Sequence, residues 1–265
     1  MATQGNTALI TGASGGIGEA LAKVFAAHSF NLVLVARSED KLEALAENLA
    51  KAHNVQAHAI AADLSEPKSG AEVIDKLDAL GLSVDVLVNN AGFADFGEFY
   101  KSDLNKQLQM IALNVTTLTE LTHRVLTGMV ERGRGFILNV ASTAAFMPGP
   151  LMSVYYATKA YVLSFSEAIR EELRGTGVSV TALCPGPVAT GFQSRAAMEG
   201  SKLLSNPMNP PTTPDGVAKA GYEALMRGQA VIIPGFMNQM QALAPKLLPR
   251  AMVPGIVKNA SVRAH

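Results

Sequence analysis

Over the first 190 residues, short apolar runs alternate with longer stretches in which apolar side chains recur every three or four positions. The runs fall at 6–10, 31–36, 56–61, 84–88, 135–141 and 178–184, with a seventh at 230–234. Between them, helical periodicity covers 16–28, 39–53, 68–80, 103–131, 154–174 and 214–227. Short strands alternating with helices specify βαβ units and a parallel sheet. Several of the runs, such as NLVLVA at 31–36, are apolar throughout rather than alternating, as expected of strands covered by helices on both faces. The segment 39–53 places Leu42, Leu45 and Leu49 on one face and charges elsewhere, the pattern of an amphipathic helix lying on a sheet. The pattern predicts a doubly wound α/β fold of about seven strands. No repeat or linker divides the first 190 residues.

Composition narrows the class. The 265 residues carry 22 basic and 22 acidic side chains, which argues against a nucleic-acid partner. A single cysteine, Cys184, excludes a disulfide framework and a cysteine-based metal cluster. The five histidines lack HxxxH or HExxH spacing, so no metal site is expected. No run approaches the ~18 apolar residues of a membrane-spanning helix, and the opening residues do not read as a secretory signal. The expectation is a cytoplasmic protein. The stretch 192–214, rich in Pro, Asn, Ser and Met, reads as a lid within a catalytic domain over 1–235, followed by an extension over 236–265. That extension has no acidic residue, but carries Lys246, Arg250, Lys258 and Arg263. Its prolines at 245, 249 and 254 preclude one long helix. Pocket cover, subunit contact and a basic amphipathic membrane contact are three readings of it, of which the first two are favoured.

Candidate chemistry begins at the first strand–helix junction, Thr11-Gly12-Ala13-Ser14-Gly15-Gly16-Ile17-Gly18. Glycines there permit a tight turn, close approach of a phosphate and close helix–strand packing, and the helix N-terminus offers free N–H groups to a pyrophosphate. The second run ends in Ala36-Arg37-Ser38, with no acid to hold a ribose hydroxyl and an arginine suited to a 2′-phosphate. NADP (NADPH) is therefore expected rather than NAD.

Further on stand Asp63, Asn89-Asn90-Ala91-Gly92, Asn114, Ser142, Tyr155-x3-Lys159 and Pro185-Gly186. With the TGxxxGxG turn, these NNAG and YxxxK motifs make the sequence resemble the short-chain dehydrogenase/reductase family over about residues 5–235. The resemblance implies a single-domain Rossmann-like fold and hydride transfer between a nicotinamide cofactor and an alcohol or carbonyl. It assigns Gly12, Ser14, Ile17 and Gly18 to the diphosphate turn, and Asp63 and Leu64 to the adenine. Asn90, Ala91 and Gly92 fall to cofactor and sheet contacts, and Pro185, Gly186, Val188 and Thr190 to the nicotinamide. Asn114, Ser142, Tyr155 and Lys159 match the catalytic tetrad, with Tyr155 and Lys159 also touching the cofactor. It further implies a homodimer or homotetramer pairing through 103–131 and 154–174.

The side chains fit those roles. Only Tyr155 stands four residues from Lys159 and shares its helix face, whereas Tyr156 is expected to pack. A phenol with an ordinary pKa of ~10 needs the Lys159 ammonium nearby to work as a base. Ser142 would hold the substrate oxygen, and Asn114 would position a water linked to Lys159. Phe93, Phe96, Phe146, Met147, Met152, Phe192 and Met198 suggest a small-molecule pocket for a hydrophobic carbonyl or secondary alcohol. The alternative from another class is a dinucleotide-binding regulatory protein of the same fold without catalysis. The intact tetrad argues against it.

Overall fold

A computed structural model describes residues 6–192 and 211–261, so the expected lid and Met198 lie almost wholly outside the described residues. Seven parallel strands form one sheet: β1 (Thr7–Thr11), β2 (Asn31–Ala36), β3 (Ala57–Ala61), β4 (Val86–Asn89), β5 (Gly135–Val140), β6 (Val178–Leu183) and β7 (Val231–Ile232). Their order is β3-β2-β1-β4-β5-β6-β7. β1 pairs with both β2 and β4, so the chain reverses its direction of growth there and opens a crevice at the strands' carboxyl ends.

Alternate side chains explain the continuous apolar runs. Ala8, Ile10, Leu32 and Leu34 bury one sheet face with Leu21, Phe25, Leu42 and Leu225 from α1 (Gly16–Ala27), α2 (Glu39–His53) and α7 (Pro214–Met226). Leu9, Val33, Leu87 and Ile137 bury the other against Leu77, Leu121, Met129 and Ile169 from α3 (Ser69–Ala79), α5 (Leu118–Glu131) and α6 (Ser153–Glu172). A buried polar chain fastens the centre. Asn89 Nδ2 donates to Thr122 Oγ1 and Asn139 Oδ1, and Asn139 Nδ2 donates to Ser166 Oγ, each at 2.9 Å.

Two departures from the sequence reading bear on the site. The helix expected over 103–131 is not uniform. It comprises α4 (Leu104–Ile111), a π-helical segment (Ala112–Thr117) and α5. The wider i→i+5 turn falls on Asn114, and such bulges concentrate at functional sites. The second departure is the tail. β7 has two residues rather than five, and beyond it lie α8 (Phe236–Leu243), a 3₁₀ turn (Ala244–Leu247) and α9 (Val253–Ser261). Val253 and Val257 bury themselves against Tyr155, Tyr156, Met152 and Met110, so the tail packs on the site.

Candidate active site

A cavity of about 1300 Å³ follows the crevice from the β1–α1 turn to the tail helices. That exceeds the upper range of ordinary ligand pockets, ~1000 Å³, and leaves room for a dinucleotide with a second molecule beside it.

At one end the backbone forms a cradle. Gly12 and Gly16 hold φ of 67° and 59°, the left-handed region that favours glycine. Ser14, Gly15, Gly16 and Ile17 line the cavity with Gly12, and nothing lies within 4 Å of a Cβ built on Gly15. Gly18 stands behind the wall instead. A Cβ there would come within 2.2 Å of the Gly12 carbonyl oxygen, so this glycine serves helix–strand packing rather than direct ligand contact. Asn90 holds the turn shut, its Nδ2 donating to the carbonyls of Thr11 at 2.9 Å and Gly12 at 3.2 Å. Thr11 Oγ1 accepts from the N–H groups of Asn90 and Ala91, both at 3.0 Å.

Arg37 lies on the rim 3.7 Å from Asp63, beside Ser38 and Lys41. Burial works to raise the Asp63 pKa, but two hydrogen bonds from Ser65 and the Arg37 guanidinium outweigh it and hold the carboxyl below its usual range. Leu64 joins the same wall, its carbonyl accepting from Thr117 Oγ1 at 2.7 Å. In the sequence Lys41 reads only as one of several charges opening a helix, and nothing there marks it as part of this rim.

Ser142, Tyr155 and Lys159 converge at the middle of the cavity. Ser142 caps the 3₁₀ turn Thr143–Phe146, accepting from Ala144 N at 3.1 Å, and is hydrogen-bonded to the Tyr155 hydroxyl. Lys159 Nζ donates to the Val140 carbonyl at 2.7 Å and lies 5.8 Å from the Tyr155 ring centre. Ala91 and Gly92, and on the far side Pro185, Gly186, Val188 and Thr190, complete this part of the wall.

Electrostatics differ from the sequence expectation. Burial pushes the Tyr155 phenol well above its ordinary value. The downward pull comes from the Ser142 hydrogen bond rather than from Lys159. Burial lowers Lys159 itself to about 8. In the protein alone Tyr155 is thus a neutral phenol at physiological pH, poised to give a proton rather than take one.

The depressed Lys159 predicts a pH effect on stability. Its folded pKa lies below the unfolded value of 10.5, so the unfolded chain binds more protons between these limits and stability rises with pH there. The gain between pH 8 and 9 is about 1 kcal/mol. From about pH 8 upward the Cys184 thiol, which burial pushes up to about 12, works the other way and offsets part of that gain. Denaturant unfolding of the cofactor-free protein should show the rise, and Lys159→Met should abolish it. An unchanged slope in that variant would show that another group is responsible.

Asn114 does not line the cavity. Its Oδ1 accepts from Phe93 N at 3.2 Å, and its Nδ2 donates to Phe93 O at 3.0 Å and Thr158 Oγ1 at 3.1 Å. The side chain is thus occupied in tying the NNAG turn to the catalytic helix.

Phe93, Met147, Met152 and Phe192 line the cavity as expected. Phe96 instead packs at the edge of the Tyr155 cluster, and Phe146 packs beside Val162 and Leu163. Tyr156, expected only to pack, does so and also lines the cavity. The tail contributes Gln241, Pro245, Leu248, Val253 and Val257 to the lining. It also braces the site, since a Cβ on Gly186 would lie 2.1 Å from Asn238 Oδ1. No motif marks Asn238. It is one of three amide side chains in α8, with Gln239 and Gln241, and its near-complete burial is a tertiary fact.

Fold and site together define a Rossmann-like α/β protein with a dinucleotide-sized crevice at its switch point. Residues 6–199 match the family described as short chain dehydrogenase, and the chain belongs to that family of oxidoreductases. It is 31% identical to the mouse (Mus musculus) very-long-chain 3-oxoacyl-CoA reductase, over 96% of this chain and 80% of that one. A short-chain dehydrogenase from Sphingobium yanoikuyae, solved in complex with NADPH, superposes with a TM-score of 0.81 at 35% identity, covering 91% of this chain and 93% of that one. The bulky-bulky ketone specific alcohol dehydrogenase from Comamonas testosteroni gives 0.77 at 31% identity, covering 92% and 94%.

Proposed function

We propose that the protein is an NADPH-dependent reductase of a bulky, apolar ketone or aldehyde, working in reverse on the secondary or primary alcohol. The observation that carries this reading is the continuity of one cavity. It runs from the glycine cradle and Arg37, past Ser142 and Tyr155, to walls formed by Met147, Met152, Tyr156, Phe192, Val253 and Val257. The names of the relatives, a long-chain oxoacyl reductase and a bulky-ketone dehydrogenase, agree with walls of this kind.

The residues present suit a nicotinamide dinucleotide. Gly12, Ser14 and Ile17 would hold its diphosphate, Arg37 its 2′-phosphate, Asp63 and Leu64 its adenine, and Pro185, Gly186, Val188 and Thr190 its nicotinamide. Bound there, it supplies the hydride that adds to the carbonyl carbon. Ser142 donates a hydrogen bond to the carbonyl oxygen and fixes its direction. Tyr155 transfers its phenolic proton to that oxygen as the alkoxide forms, leaving a phenolate stabilised by Ser142 and by Lys159 in its charged form. Lys159 then returns a proton to Tyr155. Exposed Leu104, Leu108 and Ile111 on α4 support self-association through this helix, consistent with a homodimer or homotetramer.

The test is a panel of ketones and aldehydes read by nicotinamide absorbance with NADPH and NADH in parallel. Bulky apolar ketones with NADPH should give the highest kcat/KM, and preference for small charged hydroxy acids would refute the assignment. Charge-assisted hydrogen bonds contribute about 1.5–3 kcal/mol, so Arg37→Ala should cut kcat/KM with NADPH by roughly 10–150-fold while leaving NADH nearly unchanged. Equal losses with both cofactors would contradict a 2′-phosphate contact.

A further inference from the structure

The tail presents water with the wrong face for a solvent-exposed helix. In α8, Asn238 and Ala242 are buried, while Phe236, Met240 and Leu243 point outward along one stripe. The stripe continues to Leu247, and beyond it Met252 and Ile256 are exposed at and before α9. Phe236 is 72% exposed and Leu247 78%. Concentrated exposure of this kind marks an interaction site. The face also borders the cavity, because Pro245, Leu248 and Ile256 line its rim.

Charge selects the occupant. No acidic residue follows Glu223 in the chain, and Arg250 and Lys258 are exposed among the apolar side chains. Glu98, on which Lys258 acts across the surface, is already bridged to Lys101. A second copy docking through this face about a two-fold axis would bring Arg250 and Lys258 of both copies into one interface with no tail acid among them. An anionic lipid surface meets both demands, accepting apolar side chains below its headgroups and cations at its phosphates. Breaks at Pro245, Pro249 and Pro254 prevent a spanning helix, but a surface contact needs only short segments lying in the interface.

We infer that the rim formed by α8, the 3₁₀ turn and α9 docks on anionic membrane, turning the mouth of the cavity toward the lipid. Delivery of an apolar carbonyl by this route rests on the proposed function, but the docking itself does not.

Co-sedimentation of the full chain with vesicles tests it. Phosphatidylcholine vesicles containing one-third phosphatidylglycerol should retain the protein on the order of tenfold better than phosphatidylcholine alone, and high salt should remove the difference. The paired variant Phe236→Ser/Leu247→Ser should lose binding to both vesicles by roughly tenfold or more. Arg250→Glu/Lys258→Glu should lose the preference for phosphatidylglycerol. None of these four residues lines the cavity or is buried, so unfolding midpoints should match the wild type. Equal retention by both vesicles, or variants that sediment like the wild type, would overturn the proposal. So would a serine variant whose mass in solution falls while vesicle binding persists, since the face would then cover a second copy. A failed ketone screen would leave the vesicle result standing, which separates the two readings.

Discussion

Replacing Tyr155 by phenylalanine should lower turnover by about 10²–10⁴-fold, the usual worth of a positioned proton donor. The fold should survive. The ring packs against Tyr156 and Phe192, with centroids 6.1 and 5.7 Å away, and phenylalanine keeps those contacts. What disappears is the hydroxyl shared with Ser142. NADPH affinity, measured by fluorescence titration, should change by no more than about tenfold, the worth of one neutral hydrogen bond. Single-turnover kinetics with the best ketone of the panel would place the loss in the chemical step. Retention of more than about a tenth of wild-type turnover would remove Tyr155 from the role of proton donor.

Valine at Gly18 should damage stability and cofactor binding together. The added Cβ would lie 2.2 Å from the Gly12 oxygen and 2.5 Å from Asn90 Nδ2. The first of these is backbone and cannot swing aside, and the second is a side-chain tip held by its hydrogen bonds to the Thr11 and Gly12 carbonyls. Overpacking of this kind costs about 3 kcal/mol. In a domain of this size that is a fall of roughly 6–12 °C in Tm. Relief requires α1 to move away from β1, which opens the cradle at Gly12 and weakens NADPH binding even though Gly18 itself does not line the cavity. A variant that melts normally yet loses NADPH would point to direct contact instead. One that melts normally and binds normally would show that the turn has slack.

Residues whose partners are near in sequence, or whose pattern is periodic, are legible in the amino-acid sequence itself. The sheet follows from apolar runs such as NLVLVA, and the pairing of Tyr155 with Lys159 follows from helical spacing. The π segment at Ala112–Thr117 is not legible, because one widened turn leaves the apolar spacing of a long helix almost unaltered. The tail shows why some placements cannot be read at all. Met252 and Ile256 are exposed while Val253 and Val257 are buried. Both pairs are apolar and four residues apart, so periodicity favours neither register, and contacts with Met152 and Tyr156 decide it. The ionisation of Tyr155 escapes the sequence for a related reason. A lysine four residues away is visible there, but the burial that governs the phenol is not.

Gly186 and Asn238 are 52 residues apart, yet they share a single volume. As long as position 238 carries its side chain, position 186 admits nothing larger than hydrogen. Among descendants of this chain the two sites must therefore change as a pair. A methyl group gained beside the nicotinamide segment requires a smaller residue in the tail, and a tail that drifts or is lost frees position 186 to vary.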